Sequence, residues 1–105
     1  MLAYLFPIDD AEQREVVSIE RDEPFTLEEM QSLVGGYVEI VTIPRLNMAY
    51  GEINIDAKDL IMLVNEEGKL RNLQPNMAGT MILRANGFHD YAVGNVVICD
   101  SRLVN

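Results

Sequence analysis

The sequence predicts an α+β domain: a mixed, mainly antiparallel sheet of five or six strands with two helices packed on it. Three observations carry this reading. The length of 105 residues gives room for one core. β-branched and apolar runs bounded by turn residues recur along the chain, and two segments show helical spacing between a polar cap and a glycine.

Leu2–Phe6 is an apolar run ended by Pro7, hence a strand. The acidic stretch from Ile8 to Gln13 reads as a turn. Glu15–Glu20, with Val17 and Ile19 on one face, returns as the partner in an N-terminal hairpin. Next comes a capping box, Thr26-Leu27-Glu28-Glu29. Thr26 can accept from the Glu29 amide, Glu29 can reach back to the Thr26 amide, and Phe25 and Met30 stand at the staple positions. The helix runs through Leu33-Val34 and stops at Gly35-Gly36, with Leu27, Met30, Leu33 and Val34 as its core stripe.

Tyr37–Ile43 is a strand closed by Pro44. Val38 and Ile40 make one of its faces apolar and Tyr37, Val41 and Ile43 the other, which predicts a central strand covered on both sides. From Gly51, Ile53 and Ile55 alternate with polar residues as in a half-exposed strand, whereas Leu60–Val64 is continuously apolar and reads as buried. Asn65-Glu66-Glu67-Gly68 is a turn, with Lys69–Leu73 as the returning strand. Asn76 then caps a helix that runs to Asn86 and ends at Gly87, with Met77, Ala78, Met81, Ile82 and Ala85 as its apolar face. Tyr91–Cys99 is the last strand. No repeat, linker or low-complexity segment interrupts the chain, so residues 1–105 form a single domain. With both helices on one face of the sheet, the other face would be bare. The chain is therefore expected to form a homo-oligomer, a dimer by default.

The net charge of −9 narrows the choice of partners. Residues 1–40 hold ten acidic and two basic side chains, while the remainder is close to balance. Clustered Lys and Arg are missing, so direct binding to nucleic acid is not expected. No apolar run approaches the ~20 residues that span a bilayer, and the N-terminal run lacks a basic region and passes straight into Asp9-Asp10. A cytoplasmic protein without membrane contact is expected. Cys99 is the single cysteine, which rules out an internal disulfide, and it lies in an apolar run as a small hydrophobe would.

Candidate chemistry is sparse. His89-Asp90 offers one imidazole–carboxylate pair with no nucleophile beside it, short of a triad. Gly35-Gly36 follows a helix and precedes a strand, the reverse of a phosphate-cradling loop. Scattered carboxylates lack metal-ligand spacing, and no metal site or cofactor is expected. Two regions remain. The acidic stretch containing Asp9, Asp10, Glu12, Glu20, Asp22 and Glu23 is a solvated face on one reading, and on the other a carboxylate array that docks on a basic protein surface. The segment from Asn65 to Asn76 is rich in hydrogen-bonding side chains. Asn65, Glu66, Lys69, Asn72 and Asn76 could line a small-molecule pocket beside a helix start that favours anions, or Asn65 and Asn76 could be turn and cap residues.

The order Leu33-Val34-Gly35-Gly36-Tyr37-Val38-Glu39-Ile40-Val41, then Val64-Asn65-Glu66-Glu67-Gly68-Lys69-Leu70 with Leu73-Gln74-Pro75-Asn76, then Val93-Gly94-Asn95-Val96-Val97 resembles a family of small phage- and mobile-element-associated proteins described as a domain of unknown function. The likeness runs from about Leu2 to Cys99. It is most specific at the helix–Gly-Gly–strand join and at Asn65–Leu70. The chain departs from the family pattern in an added stretch, Arg45–Lys58, and in Gln74, where the family is expected to place Pro. The resemblance implies a single domain and a phage or mobile-element setting, and it transfers no catalytic residue.

Together these features lead to the expectation of a non-enzymatic accessory protein. It would act by binding through its acidic N-terminal face, inhibiting a host defence factor that presents a basic surface. The alternative is a nucleotide-type small-molecule binding module with its pocket near residues 65–76.

Overall fold

A computed structural model describes residues 1–8 and 15–104. Strands β1 (Leu2–Phe6), β2 (Val17–Glu20), β3 (Val38–Tyr50), β4 (Ile53–Asn65) and β7 (Val96–Asp100) form one sheet in the order β2-β1-β7-β4-β3. Every neighbouring pair in it is antiparallel. The two-residue strands β5 (Pro75–Asn76) and β6 (Ala92–Val93) make a small second sheet. Helices α1 (Leu27–Val34) and α2 (Met77–Ala85) complete the α+β fold, with one 3-10 turn at Ser101–Leu103.

The helices lie on opposite faces of the sheet, not on one. Met30 and Val34 of α1 pack with Ala3, Leu63, Val97 and Cys99. Ala78, Ile82 and Leu83 of α2 pack with Met62, Val96 and Ile98. Residues 60–64 and 96–99 lack alternation because each successive side chain enters one core or the other. The face expected to be bare is thus covered by α1, which removes that particular argument for a second copy.

The local signals of α1 act as read. Thr26 Oγ1 accepts from the Glu29 amide at 3.1 Å, and the Thr26 amide donates to Glu29 Oε1 at 2.8 Å. Gly35 takes φ 78°, and its amide and that of Gly36 both donate to the Gln31 carbonyl. Leu27, expected in the core stripe, is 58% exposed at the first helical position.

Three strand expectations are corrected. β3 is an edge strand, paired only with β4, and it continues through Pro44. An edge tolerates the missing N–H, and the ladder has no pair at Pro44 opposite Asp59, which adopts φ 58°. Residues 69–73 form turns instead of a strand. The Gly68 amide donates to the Asn65 carbonyl, Leu73 donates to Gly68, and Asn72 sits at φ 54°. Such a left-handed residue breaks an extended run, so β4 takes β3 and β7 as its neighbours. Finally, the run 91–99 is split at Gly94, with φ 74°, into β6 and β7.

Residues Arg45 to Lys58, which the resemblance reads as an added stretch, are the outer half of the β3–β4 hairpin, closed by a two-residue turn with Gly51 at φ 60°. Inward side chains run Ile43, Leu46, Met48 and Tyr50 on β3, and Leu60, Ala57, Ile55 and Ile53 on β4. Both strands skip an extra residue at the Pro44/Asp59 position while the register Ile43↔Leu60 and Arg45↔Lys58 is kept. This paired break turns the arm back over the α2 core. The Tyr50 ring accordingly meets Phe6 of β1 edge-on, with centroids 5.6 Å apart.

Candidate functional site

A cleft of about 640 Å³ opens on the α2 face between β3 and two loops. Met62, Leu83 and Ala92 are its buried floor. One wall is β3, where the register places Glu39 beside Val64 and Val41 beside Met62. The other wall is built by the loop after β4 and the loop after α2. Gly68 lets the first loop fold tightly: a Cβ there would lie 2.7 Å from Val93 Cγ2. The turns that follow push Lys69 and Leu70 outward, leaving Leu70 84% exposed.

The second loop begins where α2 stops. Asn86 and Phe88 both donate to the Leu83 carbonyl, and Gly87 reverses the chain at φ 85°. Phe88 and Tyr91 are thereby returned to the cleft mouth, partly exposed. Lys69 Nζ joins the two loops through an ion pair with Asp90 and stands 4.4 Å from the Tyr91 ring centre. The Lys69 ammonium, followed by the Tyr91 amide, holds the Asp90 carboxyl below its ordinary range. Lys69 is the one cation lining the cleft among the described residues, and Asp90 occupies it. Glu39 and Glu66 leave the rim acidic.

The structure sorts the expected site residues. Glu66 and Lys69 line the cleft. Asn65 reaches it too, but is buried: its Nδ2 donates to the Val34 carbonyl and its Oδ1 accepts from the Glu67 amide. Asn72 lies elsewhere, in a shallower depression of about 450 Å³ beside Asn95 and Gly94. Asn76 is buried as the α2 N-cap, accepting from the Gly79 amide and donating to the carbonyls of Phe6 and Gly94. The cleft therefore sits by the C-terminal end of α2, away from the helix start expected to favour an anion.

On the acidic stretch, Asp9, Asp10 and Glu12 lie outside the described residues. Glu20 accepts from the Met1 amino group at 2.9 Å, with Asp22 3.7 Å from the same group. That contact with Glu20 raises the amino group above its ordinary range. Glu23 is exposed, and its carbonyl accepts from Arg21 Nε. Arg21 also pairs with Glu29 at 2.6 Å. His89 is exposed, and Asp90 is turned to Lys69 instead.

Sequence reasoning missed the apolar rim of Leu70, Phe88 and Tyr91. The available signal was isolation: Leu70 stands in a polar turn and Phe88 directly follows a helix-ending glycine, where no strand or helix face needs them. No helix among the described residues is long and apolar enough to cross a membrane.

Residues 4–102 match a family model described as Domain of unknown function (DUF3846). No curated protein and no solved structure matches the chain.

Proposed function

We propose, for a chain that belongs to this family of unknown function, a non-enzymatic role in which the cleft binds a segment of another protein. One observation carries the proposal: three apolar side chains, Leu70, Phe88 and Tyr91, stand exposed around one cleft whose rim is acidic. Exposed apolar groups gathered in one place mark interaction sites far more than scattered ones do. The carboxylates of Glu39 and Glu66 favour a partner carrying Lys or Arg beside an apolar residue. In the phage or mobile-element setting that the resemblance implies, such a contact would occupy, and so inhibit, a host defence factor.

Two observations set this reading ahead of its rivals. A nucleotide would bring phosphates to a rim whose Lys69 is held by Asp90 and whose other charges are negative. An acidic-face interface would draw on Glu20 and Asp22, which already flank the Met1 amino group.

A pull-down from host lysate tests the proposal with three baits: the parent, Phe88→Ser/Tyr91→Ser, and Glu20→Lys/Asp22→Lys/Glu23→Lys. The parent and the charge-reversed bait should retain the same protein, and the cleft variant should lose it. If the cleft variant keeps the partner while the charge-reversed bait releases it, the acidic face is the interface and the cleft reading fails.

A further inference from the structure

We infer that the free edge of β3 from Val38 to Ile43 takes up a strand from a basic partner protein, and that the cleft receives alternate side chains of that strand. The inference rests on the cleft being the binding site and adds how it is filled. β3 is the last strand of the sheet and pairs with β4 alone. Along its other side, N–H and C=O groups alternate without a strand among the described residues to answer them, which is the template for strand addition.

Edges that must stay unpaired are usually broken by proline, bulges or charge. Here the break comes only at Pro44 and Asp59, where the ladder loses a pair. The stretch before it, Val38-Glu39-Ile40-Val41-Thr42-Ile43, holds one charged residue and no proline.

The cleft adjoins this stretch. Four consecutive residues, Glu39 to Thr42, line it. Successive strand residues point to opposite faces, so Glu39 and Val41 turn their side chains to the cleft, Ile40 and Thr42 turn theirs away, and the strand's open edge lies beside them. A strand added there, about 4.8 Å outward, would set every second side chain beside Glu39 and Val41. Those side chains would meet Leu70, Phe88 and Tyr91.

Charge decides what that strand carries. Glu39 and Glu66 face the position, and Lys69 is neutralised by Asp90. A second copy of this chain would bring another Glu39 and a further net charge of −9. A strand with an aromatic or aliphatic residue flanked by Lys or Arg answers both the apolar mouth and the carboxylates.

The test uses the full chain and a synthetic capped peptide, Lys-Val-Phe-Val-Lys-Val. Binding is followed by titration, and the amides of residues 38–43 by hydrogen exchange. The peptide should bind and slow exchange at alternate amides of β3 while leaving β2 unchanged. An analogue N-methylated at its valines keeps every side chain but loses backbone donors, and it should bind about tenfold more weakly or worse. Replacing both Lys by Glu should abolish binding. If the N-methylated analogue binds as well as the parent peptide, and Phe88→Ser/Tyr91→Ser weakens both, strand addition is wrong and the cleft reading survives. Peptide binding untouched by that double substitution would overturn both. A dimer by light scattering whose β3 amides are already protected, and which the peptide does not dissociate, would assign the edge to a second copy and overturn the inference.

Discussion

The side-chain amide of Asn65 donates to the carbonyl of Val34 at 3.2 Å, and its oxygen accepts from the Glu67 amide at 2.8 Å. One buried residue thus closes the end of α1 and shapes the loop that carries Lys69 and Leu70. Asn95 does the same for the Leu33 carbonyl and Arg71 for that of Gly35. α1 has no basic residue in its last turn, so its terminal carbonyls depend on these distant donors.

Asn65→Ala should therefore cost about 1–3 kcal/mol, because it strands a buried carbonyl and an amide at once. Urea unfolding should show a lower midpoint with an unchanged slope. A midpoint equal to the parent's would mean that the Asn65 bonds are not what closes the helix.

Thr26→Ala should cost about 1 kcal/mol through loss of the bond from the Glu29 amide. Gly35→Val should cost more, since φ 78° opposes a β-branched side chain even though the space around Gly35 is open. Thermal melts of the two variants should preserve that order. The Thr26 amide and then Arg21 hold the Glu29 carboxyl below its ordinary range. Its contribution is present above the unfolded carboxylate range and falls away as acid protonates it in the fold.

Gly79→Ala provides a sharper contrast. In a free helix, alanine would stabilise by about 1 kcal/mol. Here the new Cβ would lie 2.8 Å from Ala92 Cβ and 2.9 Å from Val96 Cγ2, so α2 must lift off β6 and β7. Net destabilisation is expected in urea unfolding, and a gain in stability would show that α2 sits further from the sheet.

Burial, with a smaller effect of Asp100, pushes the Cys99 thiol from 9.0 up to about 12. A thiol reagent at mildly alkaline pH should leave the folded chain unmodified and label it fully in guanidinium. The raised value also sets a sign. Above pH 9.0 the unfolded thiol ionises while the folded one stays protonated, so this contribution to stability is lost as pH rises towards about 12. Rapid labelling of the folded protein would contradict the buried position.

Local rules were legible where a few neighbouring residues settle the outcome. The Thr26/Glu29 box, the Asn76 cap and the β1–β2 hairpin needed no tertiary knowledge. The side on which each helix packs is a tertiary matter, yet it was written in Leu60–Val64 and Val96–Cys99. Two uninterrupted apolar runs at the sheet centre demand cover on both faces. The position of β3 was obscured because an edge strand beside a cleft looks as apolar as a central one. Lys69–Leu73 was misread because its turns depend on Gly68 packing against Val93, a contact 25 residues away in sequence. The cleft stayed hidden for the same reason: its walls come from β3, residues 69–70 and residues 88–91, and only the fold brings them together.

The strand order also sets a timetable for synthesis. β7 stands third of five in the sheet yet is the last of them to be translated, and both β1 and β4 must wait for it. Until it leaves the ribosome, β1 and β4 have no strand to join them and neither core can close. Pairings between distant segments are slow to form, so the sheet closes only after β7 has been made. During that interval β1 and β4 both lack their second neighbour, and β1, made first, waits the longer of the two.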